Sequence, residues 1–270
     1  MMIKKQNLHT HTNYCDGANT PEEVLEMAIA KGFDSIGFSG HSYMYYDPAA
    51  VPNRTQEYVE HIRRLKQEYA GRIQVYLGLE VDMYSIYDPA PYDYLIGSVH
   101  YPKLGEQFLD MDRDADTVKG LIHQYFGGDG LAYAKAYYDT LAQLPDYGKF
   151  DIIGHFDLLT KHCESVRFFD EDSKQYRDCA IGAAEALAGK IPFFEVNSGA
   201  IARGYRTTPY PNPFLIRELK RLGFGAVITS DCHDCTKLDL HFDEAAQLLL
   251  ECGYKERFVL TDNGFVPVLL

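Results

Sequence analysis

The sequence predicts an α/β chain whose parallel strands close into a barrel. Short apolar runs alternate with stretches of helical periodicity, the pattern of successive βα units. The length, 270 residues, suits a single α/β barrel. Histidines and carboxylates recur at the carboxyl ends of the apolar runs, where a parallel barrel gathers its active site.

The elements follow in order. The first strand ends in His9-Thr10-His11, and a spacing of two puts both imidazoles on one face. Cys15-Asp16-Gly17 supplies turn chemistry just beyond it. Residues 21–31 predict a helix: Thr20 caps it, Pro21 opens it, Glu23 completes a capping box and Gly32 ends it. A strand at 35–38 runs into His41, and a helix is expected over 56–69. The third strand is expected at 73–77, with Gly78-Leu79-Glu80 beyond its end, and the fourth at 94–98, ending in Val99-His100.

Residues 103–145 are longer and mostly helical, broken at Gly127-Gly128-Asp129-Gly130, and are expected to form a covering insertion. The fifth strand, 150–153, ends in Gly154-His155, and a helix follows over 170–187. The sixth, 193–196, carries Glu195 and Asn197 instead of a histidine at its end. A helix at 213–222 leads to the seventh strand, 226–229, which ends in Ser230-Asp231-Cys232-His233. A helix at 243–251 and the apolar 258–260 close the chain. No repeat or linker interrupts it, so one domain over 1–270 is expected.

Hydrophobic residues make up 46%, enough for a sizeable core. No apolar run reaches the roughly 18 residues of a membrane span. Met-Met-Ile-Lys-Lys-Gln lacks the apolar segment of a signal peptide, so a cytoplasmic protein is expected. With 26 Lys plus Arg against 39 Asp plus Glu, the net charge is -13, which disfavours nucleic acid as a partner. Six cysteines in a chain this long do not read as a disulfide scaffold.

Nine residues then stand out as metal ligands: His9, His11, Asp16, His41, Glu80, His100, His155, Asp231 and His233. They take in six of the ten histidines. One ion cannot use nine ligands, since zinc takes about four. Two or three divalent cations are expected, with imidazole and carboxylate suiting zinc, manganese or iron.

As an ordered set, His9-Thr10-His11, Asp16-Gly17, His41, Gly78-Leu79-Glu80, Ser98-Val99-His100, Gly154-His155 and Ser230-Asp231-Cys232-His233 resemble the polymerase-and-histidinol-phosphatase (PHP) superfamily. Its stand-alone histidinol-phosphate phosphatases are the nearest likeness. The resemblance implies a distorted TIM-like barrel of seven βα units with a trinuclear centre. It also implies three ligand sets: His9, His11, Glu80 and Asp231; Glu80, His100 and His155; and Asp16, His41 and His233.

The implied activity is hydrolysis of a small phosphomonoester, with L-histidinol phosphate the expected substrate in histidine biosynthesis. Phosphotyrosine, a nucleotide or another small phosphoester is the alternative. Glu80, His100, Asp231 and Arg203 are expected to carry the reaction. Phosphate calls for forked guanidinium donors. Arg203, after the sixth strand, is the first choice. The resemblance places a further arginine after the fifth strand, for which Arg167 is the candidate, with Arg206 in reserve; His41 is expected beside the phosphate. Tyr43, Tyr45, Tyr46, Asp47 and Tyr101 follow metal ligands and are candidates for the cationic part of a substrate. A distant alternative is thiol redox chemistry at Cys232 and Cys235, a C-x-x-C pair.

Overall fold

The structure is a computed structural model and describes residues 5–270; Met1–Lys4, with most of the stretch inspected for a leader, lie outside the described residues. The elements run β1 (Gln6–Asn7), α1 (Pro21–Ala30), β2 (Ser35–Phe38), α2 (Thr55–Glu68), β3 (Gln74–Asp82) and β4 (Tyr94–Ser98). A small hairpin, β5 (Lys103–Leu104) and β6 (Gln107–Phe108), precedes α3 (Ala115–Phe126), α4 (Gly130–Leu141) and β7 (Ile152–Ile153). Then come α5 (Lys174–Leu187), β8 (Phe193–Asn197), α6 (Gly199–Ala202), α7 (Pro213–Arg221), β9 (Gly225–Thr229), α8 (Phe242–Glu251), β10 (Glu256–Thr261) and β11 (Gly264–Leu269).

Seven parallel strands pair in the order β1-β2-β3-β4-β7-β8-β9. The seam between β1 and β9 lacks a ladder and is stitched by other means. Thr10 bridges to Cys232 in parallel fashion, and the Asn7 amide donates to Ser230 Oγ at 2.6 Å and to the Leu238 carbonyl at 3.0 Å. The sheet is thus a nearly closed TIM-like barrel, with helices outside.

Local sequence dictates much of this. The Thr20 hydroxyl accepts from the Glu23 amide while the Glu23 carboxylate accepts from the Thr20 amide, so the capping box forms as read. The third strand differs from expectation: it runs through Gly78 and includes Glu80. Gly78 does not break the strand because it makes room for a ring. A Cβ there would lie 2.2 Å from Cζ of Tyr94. That tyrosine crosses the barrel and donates to the Leu8 carbonyl at 2.5 Å.

Leu8, Tyr76, Tyr94, Ile96, Ile152, Val227 and Leu260 fill the interior, with Phe193, Phe258 and Phe265 packed against them. The last two belong to the β10–β11 hairpin, of which the sequence reading had only residues 258–260. The Gln6 side chain binds this hairpin at both the Leu260 amide (2.7 Å) and carbonyl (2.9 Å), at the amino end of the strands. That end is sealed, and the open mouth lies at the carboxyl end.

The 103–145 stretch divides between two roles. Helix α4 buries Tyr133, Ala134, Tyr137, Tyr138 and Leu141 in the largest core and packs along α5, where the Tyr138 and Tyr176 hydroxyls meet at 2.8 Å. Asp110, Asp112 and Arg113, ahead of α3, border the mouth. No helix among the described residues is long and apolar enough to cross a membrane.

Candidate metal centre

Glu80 sits at the middle of the mouth, on β3, fully buried. His41 Nδ1 lies 2.9 Å, His9 Nε2 3.3 Å and His11 Nε2 3.5 Å from its Oε2. His155 Nε2 lies 2.9 Å and His100 Nε2 3.5 Å from its Oε1. Asp231 approaches from β9, with Oδ1 3.2 Å from His11 Nε2 and 3.6 Å from His9 Nε2. Asp16 approaches from the other side, 3.1 Å from His233 Nε2 and 3.6 Å from both His11 and His41. All nine residues singled out in the sequence come together.

Backbone chemistry places them. His11 donates its amide to the Cys232 carbonyl at 2.8 Å, which holds the His9–His11 segment extended past the end of β1. Gly17 is required by close approach, since a Cβ there would lie 2.5 Å from the His11 carbonyl carbon, so the Asp16 turn folds back against the first histidines. Asp231 takes a left-handed conformation, φ 45°, uncommon for a residue with a side chain. Such a conformation costs about 1–3 kcal/mol and is found where function fixes the backbone.

In each of three groups the ligand atoms all lie within 4.8 Å of one another: His11, Asp16, His41 and His233; His9, His11 and Glu80; and His41, Glu80 and His100. Glu80 is shared by two of them. Buried His9 Nε2, His11 Nε2 and Glu80 Oε2 have no hydrogen-bond partner, although they face one another. An unpaired buried polar atom costs about 1–3 kcal/mol. Three in one place fit divalent cations in a nitrogen and oxygen donor set, which would take the place of any protons held there.

The electrostatics agree. Burial opposes ionisation of Glu80, yet His9, His41 and His100 hold its carboxyl well below the usual range. Burial disfavours the charged His100 ring, but Glu80 and Asp82 outweigh it and raise it to about 9. His11 goes the other way, down to about 3, through burial and the neighbouring His233 and His41.

Residues 7–199 match the PHP domain family. The chain belongs to that family. Among curated proteins it is similar to a probable histidinol-phosphatase of Deinococcus radiodurans, 29% identical over 261 residues, covering 91% of this chain and 92% of that protein. The histidinol-phosphatase of Bacillus subtilis is 27% identical, covering 86% of this chain and 94% of its own length. Among solved structures, histidinol phosphate phosphatase from Lactococcus lactis, in complex with zinc, L-histidinol and phosphate, superposes with a TM-score of 0.76 at 21% identity, over 98% of this chain and 100% of that one. That likeness shows the fold.

The cationic residues need correction. Arg203 lies in the site, with Nη2 3.0 Å from Asp231 Oδ2. Arg167 does not. Its side chain is 74% exposed and pairs with Asp170 at 3.0 Å, in a separate surface hollow. Arg206 is buried and spent on structure, donating to the Thr160 carbonyl at 2.9 Å. The cation after the fifth strand that reaches the site is Lys161, which sequence reasoning missed because it looked for an arginine. Its Nζ donates to the Asp112 carbonyl and carboxylate, both at 2.8 Å, and the side chain lines a cavity of about 130 Å³ with Glu80, His155 and Arg203.

Two buried carboxylates stand behind the histidines: Asp82 escaped the sequence reading, and Glu195 was noted on its strand without a role. Asp82 faces His100 Nδ1 at 3.1 Å, and Glu195 faces His9 Nδ1 at 2.8 Å. The period-2 alternation along their strands was the available signal: Asp82 follows Glu80 by two residues, and Glu195 precedes Asn197 by two. The thiol alternative is lost. Cys232 donates to the Asp234 carbonyl, and burial pushes its thiol up to about 12, where it is no nucleophile at neutral pH.

Proposed function

We propose that this chain is a metal-dependent phosphomonoesterase that hydrolyses L-histidinol phosphate to L-histidinol and phosphate. The observation that carries the hydrolytic part is the convergence of five imidazoles on the single carboxylate of Glu80, with Arg203 and Lys161 at the edge of the same cavity. Two or three divalent ions of the zinc, manganese or iron type are the proposed cofactors. When bound they supply positive charge for the phosphate oxygens and lower the pKa of a water to about 7.

The chain's own residues complete the chemistry. Arg203 and Lys161 line this cavity, and the N–H groups that Asp231 and Asp112 leave free are the donors for a phosphate dianion. Asp231 and Asp112 hold those cations in place at 3.0 and 2.8 Å. His41 lines the same cavity, beside where the phosphate would lie. Tyr205 stacks under Lys161 Nζ at 4.6 Å and covers it from solvent.

The leaving group has its own space. A second cavity, about 360 Å³, shares Asp16, His41, His100 and Asp112 with the first. Its outer wall holds Met44, Asp47, Tyr101, Asp110 and Arg113. Asp47 and Asp110 both face the Tyr101 hydroxyl, at 2.8 and 3.2 Å. Arg113 pairs with Asp110 and lies 3.7 Å from Asp47, so two carboxylates against one guanidinium leave the wall net negative beside an aromatic ring, which suits a leaving group that carries an ammonium and an imidazole. Tyr46, stacked on Phe108 at 4.3 Å, lines a neighbouring hollow instead, while Tyr45 is exposed. The full-length similarity to histidinol-phosphatases supports the same substrate. A cytoplasmic setting belongs to this proposal.

The test is kcat/KM for L-histidinol phosphate against p-nitrophenyl phosphate on one manganese- or zinc-loaded sample. A ratio of about 100, or ~2.7 kcal/mol of transition-state discrimination, supports the assignment. A ratio near one keeps phosphomonoester hydrolysis and overturns the substrate.

A further inference from the structure

The sixth barrel strand, β8, contributes no residue to the nine-ligand set. In its place it carries Glu195, which is completely buried, and each of that carboxylate's oxygens has a distinct task. Oε1 accepts from the His155 amide at 2.7 Å and from the Asn197 side-chain amide at 2.8 Å. Oε2 faces His9 Nδ1 at 2.8 Å and accepts from the Thr229 hydroxyl at 2.8 Å. One side chain therefore ties together residues from the ends of β1, β7, β8 and β9.

The hydrogen-bond roles are fixed by chemistry. A backbone N–H can only donate. Asn197 must present its NH₂ to Glu195, because its Oδ1 already accepts from the Gly199 amide at 2.8 Å. A carboxylate surrounded by donors can only accept, so His9 Nδ1 carries the proton. The lone pair of the neutral ring is then on Nε2. That is the atom 3.3 Å from Glu80 and 3.6 Å from Asp231, with no hydrogen-bond partner.

We propose that Glu195 is a positioning residue that sets the tautomer of His9, making Nε2 rather than Nδ1 available to a metal ion. A glutamine here would not be conservative. The two obligate donors at Oε1 would claim its carbonyl oxygen and turn its NH₂ toward His9. Nδ1 would then have to accept, and the ring proton would move to Nε2, leaving no lone pair for a cation. An outer carboxylate on a ligating histidine typically governs metal affinity by about 10- to 100-fold.

The inference rests on the metal reading of the site and not on the choice of substrate. The test is zinc uptake by the whole chain, measured by competition with a chromophoric chelator, for wild type, Glu195→Gln and Thr229→Val. The expected result is a 10- to 100-fold weaker affinity for one ion in Glu195→Gln, with thermal unfolding still cooperative. Thr229→Val removes a neighbour of the same oxygen without changing its accepting role and is expected to bind within threefold of wild type. Wild-type affinity in Glu195→Gln, or an equal loss in Thr229→Val, overturns the proposal. Wild type that takes up no zinc would instead overturn the metal reading. Should Glu195→Gln not fold, the wild type decides alone: in the zinc-loaded, ¹⁵N-histidine-labelled protein, His9 must show Nδ1–H and no Nε2–H, and an Nε2–H there overturns the assignment.

Discussion

Arg203 Nη2 lies 3.0 Å from Oδ2 of Asp231, whose other oxygen faces His11 Nε2 at 3.2 Å. One carboxylate thus joins the proposed phosphate cation to the proposed metal ligands. Burial disfavours a lone guanidinium, but Asp231 stabilises its charge and pushes Arg203 further up, so it stays a cation. Arg203→Ala is expected to lower kcat/KM for a phosphomonoester by about 100-fold, ~2.7 kcal/mol. Metal content should be retained. Arg203→Lys restores charge without the fork and is expected to recover only part. Unchanged kinetics would remove Arg203 from the phosphate site.

Lys161 is expected to share that role. Lys161→Met keeps the apolar stem over Tyr205 and deletes the charge. It should raise KM for L-histidinol phosphate about tenfold, ~1.4 kcal/mol, with the fold intact. A variant with wild-type KM would show that Lys161 serves only to hold Asp112.

Glu80→Gln removes the charge on which five histidines converge. The expected outcome is loss of bound metal, read by elemental analysis, and a fall in kcat/KM of at least about 1000-fold, ~4 kcal/mol. A folded variant with full activity would refute the central place given to Glu80.

Metal uptake should release protons at neutral pH. Burial alone would lower His9 and His41, but the carboxylates around them raise both well above 6.5, and His100 is raised to about 9. The metal-free rings therefore hold protons at pH 7, and a cation must displace them. Because these rings keep their protons below the raised values, apparent affinity should climb with pH through neutrality and go on climbing at least to about 9, where His100 gives up its proton. Calorimetry in buffers of different ionisation enthalpy measures the protons released. None released at pH 7 would contradict the field assigned to Glu80.

Asp47→Asn and Asp110→Asn should separate the two cavities. Each is expected to lower kcat/KM for L-histidinol phosphate about tenfold, ~1.4 kcal/mol, and to leave p-nitrophenyl phosphate unchanged. Equal losses on both substrates would place these residues in the reaction and not in recognition.

The sequence by itself determined most of the elements and which nine residues meet at the mouth. Capping at Thr20 and Glu23, the apolar run at Ser35–Phe38, the i,i+2 spacing of His9 and His11 and the histidines after five of the seven runs are local features, and local periodicity reports them directly. The tertiary structure decided what each long-range neighbour does. Gly78 read as the end of a strand until Tyr94 was seen to occupy the space of its missing Cβ. Arg167 and Lys161 lie six residues apart on one connection, yet only Lys161 turns inward to Asp112, 49 residues away. Glu195 meets His9 across 186 residues, a separation at which no spacing rule operates. Closure of the barrel brings such residues together, and it depends on the packing of all seven strands at once.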